Sequence, residues 1–282
     1  MHPRFADFPT ALAAQARIVR LGADDIPALL VHPDWETPRP TLLWFHGRTA
    51  HKELDPGRYL RLMRKGIASC AIDLPGHGER PGPKLHDPEQ TIGVLTQGIG
   101  EIDAIVEALA DPGYEGVFDL DRLALGGMSA GGMIALRRLC DPHPFAAALV
   151  EATTGRLSDL YFPGPSMPRT TRPIEVSRNA VEAIDPSCHL DTWEPLPLLA
   201  IHATTDQMIP FETQRAFLDD LRIHYHARNA DPALVELLSF TETGAPAEHA
   251  GFGKFGTEAK NAAADFLAKH LLGESATSRA RP

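Results

Sequence analysis

The chain is 282 residues long, 43% hydrophobic and 23% charged, with a formal net charge of −10. That length suits one large α/β domain or two small ones, and the balance is that of an ordinary soluble globular protein. An acidic chain with no long Lys/Arg block excludes nucleic acid and anionic membrane as natural partners, which leaves a small-molecule substrate as the expectation.

Met1 to Asp7 contain no basic segment followed by an apolar core, so no signal peptide is expected, and no apolar run approaches membrane-spanning length. Cys70, Cys140 and Cys188 are widely spaced, odd in number and lack C-x-x-C pairing. They fit reduced, partly buried thiols of a cytoplasmic protein. The thirteen histidines include no H-x-x-x-H or H-E-x-x-H cluster, and no metal or cofactor is expected. His224 and His226 flank Tyr225 on a helix-like stretch and read as solvated surface.

Short apolar runs recur along the chain with helical stretches between them. Residues 16–21 and 26–31 read as two early strands, and 41–45 as a buried strand running into His46-Gly47. A short helix over 58–65 and a strand over 67–72 follow, the latter ending at Asp73-Leu74-Pro75-Gly76-His77-Gly78. From Thr91 to Leu109, Ile92, Leu95, Ile99, Ile102, Val106 and Leu109 recur at three- and four-residue steps, which predicts an amphipathic helix. A strand at Leu123-Ala124-Leu125 precedes a helix over about 130–139. Strands are predicted again over 145–150, 196–201 and 235–240, with helices over 211–225 and 256–271.

Alternation of this kind predicts an α/β fold: a mostly parallel central sheet of about eight strands with helices on both faces. A single domain is expected over 1–272, with residues 273–282 a flexible tail. Residues 155–191 break the rhythm. They are rich in proline, with one helix-like piece over about 174–184, and an excursion of this length is expected to be a lid or cap insertion. Two readings stand for Tyr161, Phe162 and Met167: they line an acyl pocket, or they pin the excursion to the domain.

Between the short strand and the helix lies Gly127-Met128-Ser129-Ala130-Gly131. A serine on a sharp strand-to-helix turn needs small residues two positions before and after it, and both are glycine. A serine hydroxyl also needs a base, and the base needs a carboxylate to fix its tautomer. Ser129, Asp206 and His249 supply these groups in that chain order, each just after a predicted strand, where ligands of open α/β sheets bind. Glu151, after the 145–150 strand, is the rival acid. The Ala130 N–H at the helix start is placed for an oxyanion. His46, His77 and His202 read as packed or turn residues, and Asp73 as a turn cap.

With these motifs on the page the chain resembles the α/β-hydrolase superfamily over roughly 16–271. It is most similar to compact esterases of the dienelactone-hydrolase and prolyl-oligopeptidase-like branch. It departs from dienelactone hydrolases in having serine at the elbow where they use cysteine. It departs from the oligopeptidases in having only some forty residues before Trp44, where they carry a large propeller. The resemblance implies the α/β-hydrolase fold and a carboxylic-ester hydrolase without a cofactor, with Ser129, Asp206 and His249 as the catalytic triad. Asp206 is preferred to Glu151 because it has the loop spacing and the Ile209-Pro210 exit that resemblance to the superfamily implies. It implies the Arg48 backbone N–H as the second oxyanion donor; the Arg48 side chain reads as surface, with contact to an anionic substrate as the rival role. A peptidase, amidase or thioesterase with the same triad, or a non-catalytic binding protein of this fold, are the alternatives.

Overall fold

The computed structural model describes residues 7–80, 82, 87–164 and 175–273. Eight strands form one sheet: β1 (Ala16–Leu21), β2 (Ile26–Val31), β3 (Arg39–Phe45), β4 (Ala68–Ile72), β5 (Phe118–Met128), β6 (Phe145–Glu151), β7 (Leu198–Ala203) and β8 (Val235–Phe240). Their order across the sheet is β1-β2-β4-β3-β5-β6-β7-β8. β1 with β2 and β2 with β4 run antiparallel, and every other neighbouring pair is parallel.

The core follows from the two-residue period of the strands. Leu30, Leu43, Leu125 and Ala148 point to one face and join residues of α3 (Thr91–Leu109), α4 (Ala130–Arg138) and α7 (Phe211–Ala227). Leu29, Leu42, Ala124 and Leu149, their chain neighbours, point to the other face. There they join α1 (Thr10–Ala13), α2 (Pro56–Arg64) and α8 (Gly256–Leu272). The inner strands β2, β4 and β7 are buried throughout, as a sheet covered on both sides requires, whereas the edge strands β1 and β8 are mixed.

Most element limits agree with the sequence within a residue or two, and three differences are physical. β5 begins five residues before the predicted strand, because Phe118 and Asp119 pair with Arg39 and Pro40 ahead of a register shift; the polar run Asp119 to Arg122 hides this from any hydrophobic pattern. The 155–191 excursion holds two short helices, α5 (Leu157–Tyr161) and α6 (Arg178–Glu182), where one longer piece over 174–184 was expected. Leu157 and Val181 are fully buried in the core, and Tyr161 and Phe162 pack against it. Met167, Pro165, Pro168, Pro173 and Ile174, like 1–6 and the tail 274–282, lie outside the described residues. His224 corrects the surface reading. Its ring is half-buried and its Nε2 donates to the Trp193 carbonyl at 2.8 Å, while His226 is exposed.

On α7, Phe217, Leu218, Leu221 and Tyr225 form the predicted buried face. The Tyr225 hydroxyl accepts from Trp193 Nε1 (3.1 Å) and the Leu196 N–H (3.0 Å) and donates to the Leu196 carbonyl (2.8 Å). That one oxygen fixes the approach to β7, whose end carries Asp206. Tyr225→Phe leaves two buried donors without an acceptor and is expected to lower stability by about 1–3 kcal/mol. Urea unfolding should then show a lower midpoint at unchanged slope.

Candidate active site

Between β5 and α4 the chain turns so tightly that backbone lies on backbone. A Cβ on Gly131 would sit 2.0 Å from the Phe45 carbonyl oxygen, and one on Gly127 would sit 2.3 Å from the Gly131 carbonyl carbon. Ser129, at the apex, takes φ 52° and ψ −118°, a conformation that costs a non-glycine residue about 1–3 kcal/mol. Three hydrogen bonds hold it there. Its N–H donates to the Glu151 carbonyl at 2.8 Å, and its own carbonyl accepts from the Met133 N–H (3.0 Å) and Thr153 Oγ1 (2.8 Å).

The hydroxyl of Ser129 donates to His249 Nε2 at 3.0 Å, and His249 Nδ1 donates to Asp206 Oδ2 at 2.8 Å. Asp206 is buried, and its Oδ1 accepts the Met208 and Ile209 amides, both at 2.8 Å, so the whole carboxylate is oriented. The two loops are tied to each other by the Gln207 N–H, which donates to the Ala247 carbonyl at 3.0 Å. Glu248 stiffens the His249 loop by accepting the Gly244 N–H and the Thr243 hydroxyl, both at 2.8 Å. His202 packs behind Asp206 and is not part of the relay. Burial lowers its pKa more than Asp206 raises it, so the ring stays neutral, with Nε2–H donating to the Ile209 carbonyl at 3.0 Å.

Gly47 lies against the serine: a Cβ there would be 3.4 Å from the Ser129 Cβ. The next peptide group carries the Arg48 N–H, and at the α4 N-terminus the Ala130 N–H has no intrahelical acceptor. The Arg48 side chain is not simple surface, and Arg48 lines the cavity that Ser129 also lines. It is half-buried and bonds to Thr91 Oγ1 and to the Asp87 carbonyl.

His46 supports the turn as expected, its Nδ1–H donating to the Gly47 carbonyl (2.7 Å) and its Nε2 accepting the Leu74 N–H (3.1 Å). Asp73 does more than cap a turn. Its Oδ1 accepts the Lys52 N–H at 2.9 Å, and its Oδ2 accepts Lys52 Nζ at 2.7 Å and the Glu79 N–H at 2.9 Å. Lys52 and Asp73 are fully buried, and no sequence pattern announced the pair.

The triad opens onto a cavity of about 500 Å³ whose lining includes Trp44, Leu54, Arg58, Tyr59, Glu151 and Met208. Among the described residues neither Tyr161 nor Phe162 lines this cavity, and their packing against the core favours the pinning role. Glu151 is not the triad acid. It is buried and pairs with Arg58 Nη2 at 2.8 Å. Among the described residues no three His, Cys, Asp or Glu side chains gather as a metal site, and no helix is long and apolar enough to cross a membrane.

Gly131→Ala forces backbone apart and is expected to cost about 1–3 kcal/mol or more, read as a lower unfolding midpoint. Asp73 gives a pH signature. Burial raises its pKa, but Lys52 and the two backbone amides outweigh that and hold the carboxyl well below its usual range. A depressed folded pKa stabilises above the unfolded value and is lost as pH falls below it, here from about pH 4 downward. Urea midpoints of the wild type should therefore fall more steeply below that pH than those of Asp73→Asn, which is the less stable protein at neutrality.

The model of the prolyl oligopeptidase family matches residues 59–274. Esterase YjfP of Escherichia coli (strain K12) is 28% identical over 199 residues, covering 66% of this chain and 77% of that protein. Among solved structures, TT1662 from Thermus thermophilus superposes with a TM-score of 0.67 at 24% identity, over 92% of this chain and 99% of that one. A puromycin-hydrolyzing peptidase of Mycobacterium tuberculosis superposes with a TM-score of 0.69 at 19% identity, over 94% of this chain and 42% of that one. These likenesses fit the α/β-hydrolase fold of the sheet, and the match over most of the chain means that the protein belongs to the prolyl oligopeptidase family.

Proposed function

We propose that the protein hydrolyses carboxylic esters of small molecules through an acyl-enzyme. The observation that carries this reading is the unbroken relay from Asp206 through His249 to the Ser129 hydroxyl. In this reading His249 Nε2 takes the hydroxyl proton as Ser129 Oγ attacks the acyl carbon, and Asp206 holds the imidazole in the tautomer that can accept it. The Ala130 and Arg48 amides receive the oxyanion. His249 then protonates the leaving alcohol, and a water activated by the same nitrogen clears the acyl group. No metal or organic cofactor enters any step.

The likeness to YjfP, named an esterase, supports the ester as substrate. Family membership and the likeness to a puromycin-hydrolyzing peptidase favour a second reading, cleavage of an amide by the same relay. The two differ in the leaving group, and an ester, with its better leaving alcohol, is the less demanding substrate. The free cysteines Cys70, Cys140 and Cys188 suit a reducing, cytoplasmic setting. The 155–191 excursion is read as a cap on the domain, anchored at its described ends by Leu157 and Val181.

Ser129→Ala is expected to lower kcat/KM for para-nitrophenyl acetate about 10⁴-fold or more and to abolish labelling by a fluorophosphonate, with Asp206→Asn losing about 10³–10⁴-fold. Full ester hydrolysis by folded Ser129→Ala overturns the mechanism. Faster turnover of a matched anilide than of the ester selects the amide reading.

A further inference from the structure

The cavity beside Ser129 has a polar floor that the triad does not use. Arg58 and Glu151 both line it, although they are only 4% and 2% exposed. The guanidinium lies over the Trp44 ring at 3.9 Å, with Nε donating to Asp55 Oδ2 (3.1 Å) and Nη2 to Glu151 Oε2 (2.8 Å). Among the described residues, Arg58 Nη1 and Glu151 Oε1 are buried and have no hydrogen-bond partner. Nearby carboxylates are treated differently. Asp73 and Asp206 have both oxygens bonded. A buried ion pair is tolerable when its remaining donors and acceptors are matched, so a spare donor and a spare acceptor on two directly bonded side chains mark a place for a third group.

The charges around this place select what that group is. Asp55 and Glu151 oppose an anion, and Arg58 and Lys260, which lies 3.5 Å from Asp55, oppose a cation. A neutral hydroxyl carries both what the carboxylate lacks, a donor, and what the guanidinium lacks, an acceptor. Trp44, Tyr59 and Phe252 offer apolar surface to the carbon frame that carries it. We propose that the Arg58–Glu151 pair is a recognition subsite for a hydroxyl group, and that the esters turned over at Ser129 bear such a group on the half that enters this cavity. This rests on the ester reading above and narrows it to hydroxylated esters.

The test compares matched esters on the wild-type protein. Para-nitrophenyl meta-hydroxybenzoate against para-nitrophenyl benzoate places the hydroxyl on the acyl half, and meta-hydroxybenzyl acetate against benzyl acetate places it on the alcohol half. One arm is expected to show kcat/KM at least about tenfold higher for the hydroxylated member, the size of one charge-assisted hydrogen bond. That arm tells which half occupies the cavity. The double substitution Arg58→Met with Glu151→Leu replaces the pair by apolar side chains, leaves Asp55 to Lys260, and should erase the preference. Equal kcat/KM within both pairs, or a preference that survives the double substitution, overturns the proposal. Failure to turn over any of the four esters overturns the ester reading, and this inference with it.

Discussion

The contact between two stretches of backbone at Gly127 and Gly131 sets everything else in the site. Because the Phe45 carbonyl oxygen lies where a Gly131 Cβ would be, the end of β3 and the start of α4 are pressed together, and Ser129 is forced out of the sheet plane between them. Two consequences follow without further instruction from the sequence. The loop leaving β3 passes beside the serine, with Gly47 against it; and the serine's own N–H is left to bond with the Glu151 carbonyl at the end of β6. The strain at Ser129 is thus held by neighbours on both sides, as an over-determined conformation must be.

Buried charge does the complementary work of fixing loops that have little hydrophobic anchorage. Lys52 draws the loop after β3 to Asp73 at the end of β4, and Arg58 draws the start of α2 to Glu151 at the end of β6. Such pairs gain little over an apolar replacement, yet losing one partner strands the other, which makes them better at setting geometry than at adding stability. Their position agrees with that role. Both sit at strand ends around Ser129 and none lies deep in either core layer.

The parts legible in the sequence were those with a local signature. β1, β2 and β8 have the predicted limits because each is a short apolar run, and α3 because its apolar residues recur at three- and four-residue steps. Ser129, Asp206 and His249, which the fold joins by hydrogen bonds, were legible because each follows a strand in a characteristic order. Arg58 and Glu151 are 93 residues apart, Lys52 and Asp73 are 21 apart, and neither pair has a motif, so only the fold brings them together. Glu151 drew notice as a carboxylate at a strand end, but its partner was hidden among the arginines of a short helix. The five-residue α5 was invisible for another reason: a single turn of helix carries too few residues to show a period, and tertiary contact through Leu157 holds it.

Asp55 shows how cheaply the polar floor of the cavity is built. It is the N-cap of α2, its Oδ1 accepting the Arg58 N–H at 3.3 Å, and its Oδ2 also accepts Arg58 Nε at 3.1 Å. One carboxylate therefore starts the helix, neutralises part of the helix dipole and turns the arginine toward Glu151. Its contact with Lys260 brings α8 to the same point. The cap of α2 and the orientation of Arg58 thus share one carboxylate. The chemistry comes from loops after β5, β7 and β8, whereas this floor comes from α2 and α8 with only Glu151 reaching in from the sheet. Substitutions on those helices can therefore alter which ester is held without moving the groups that cleave it.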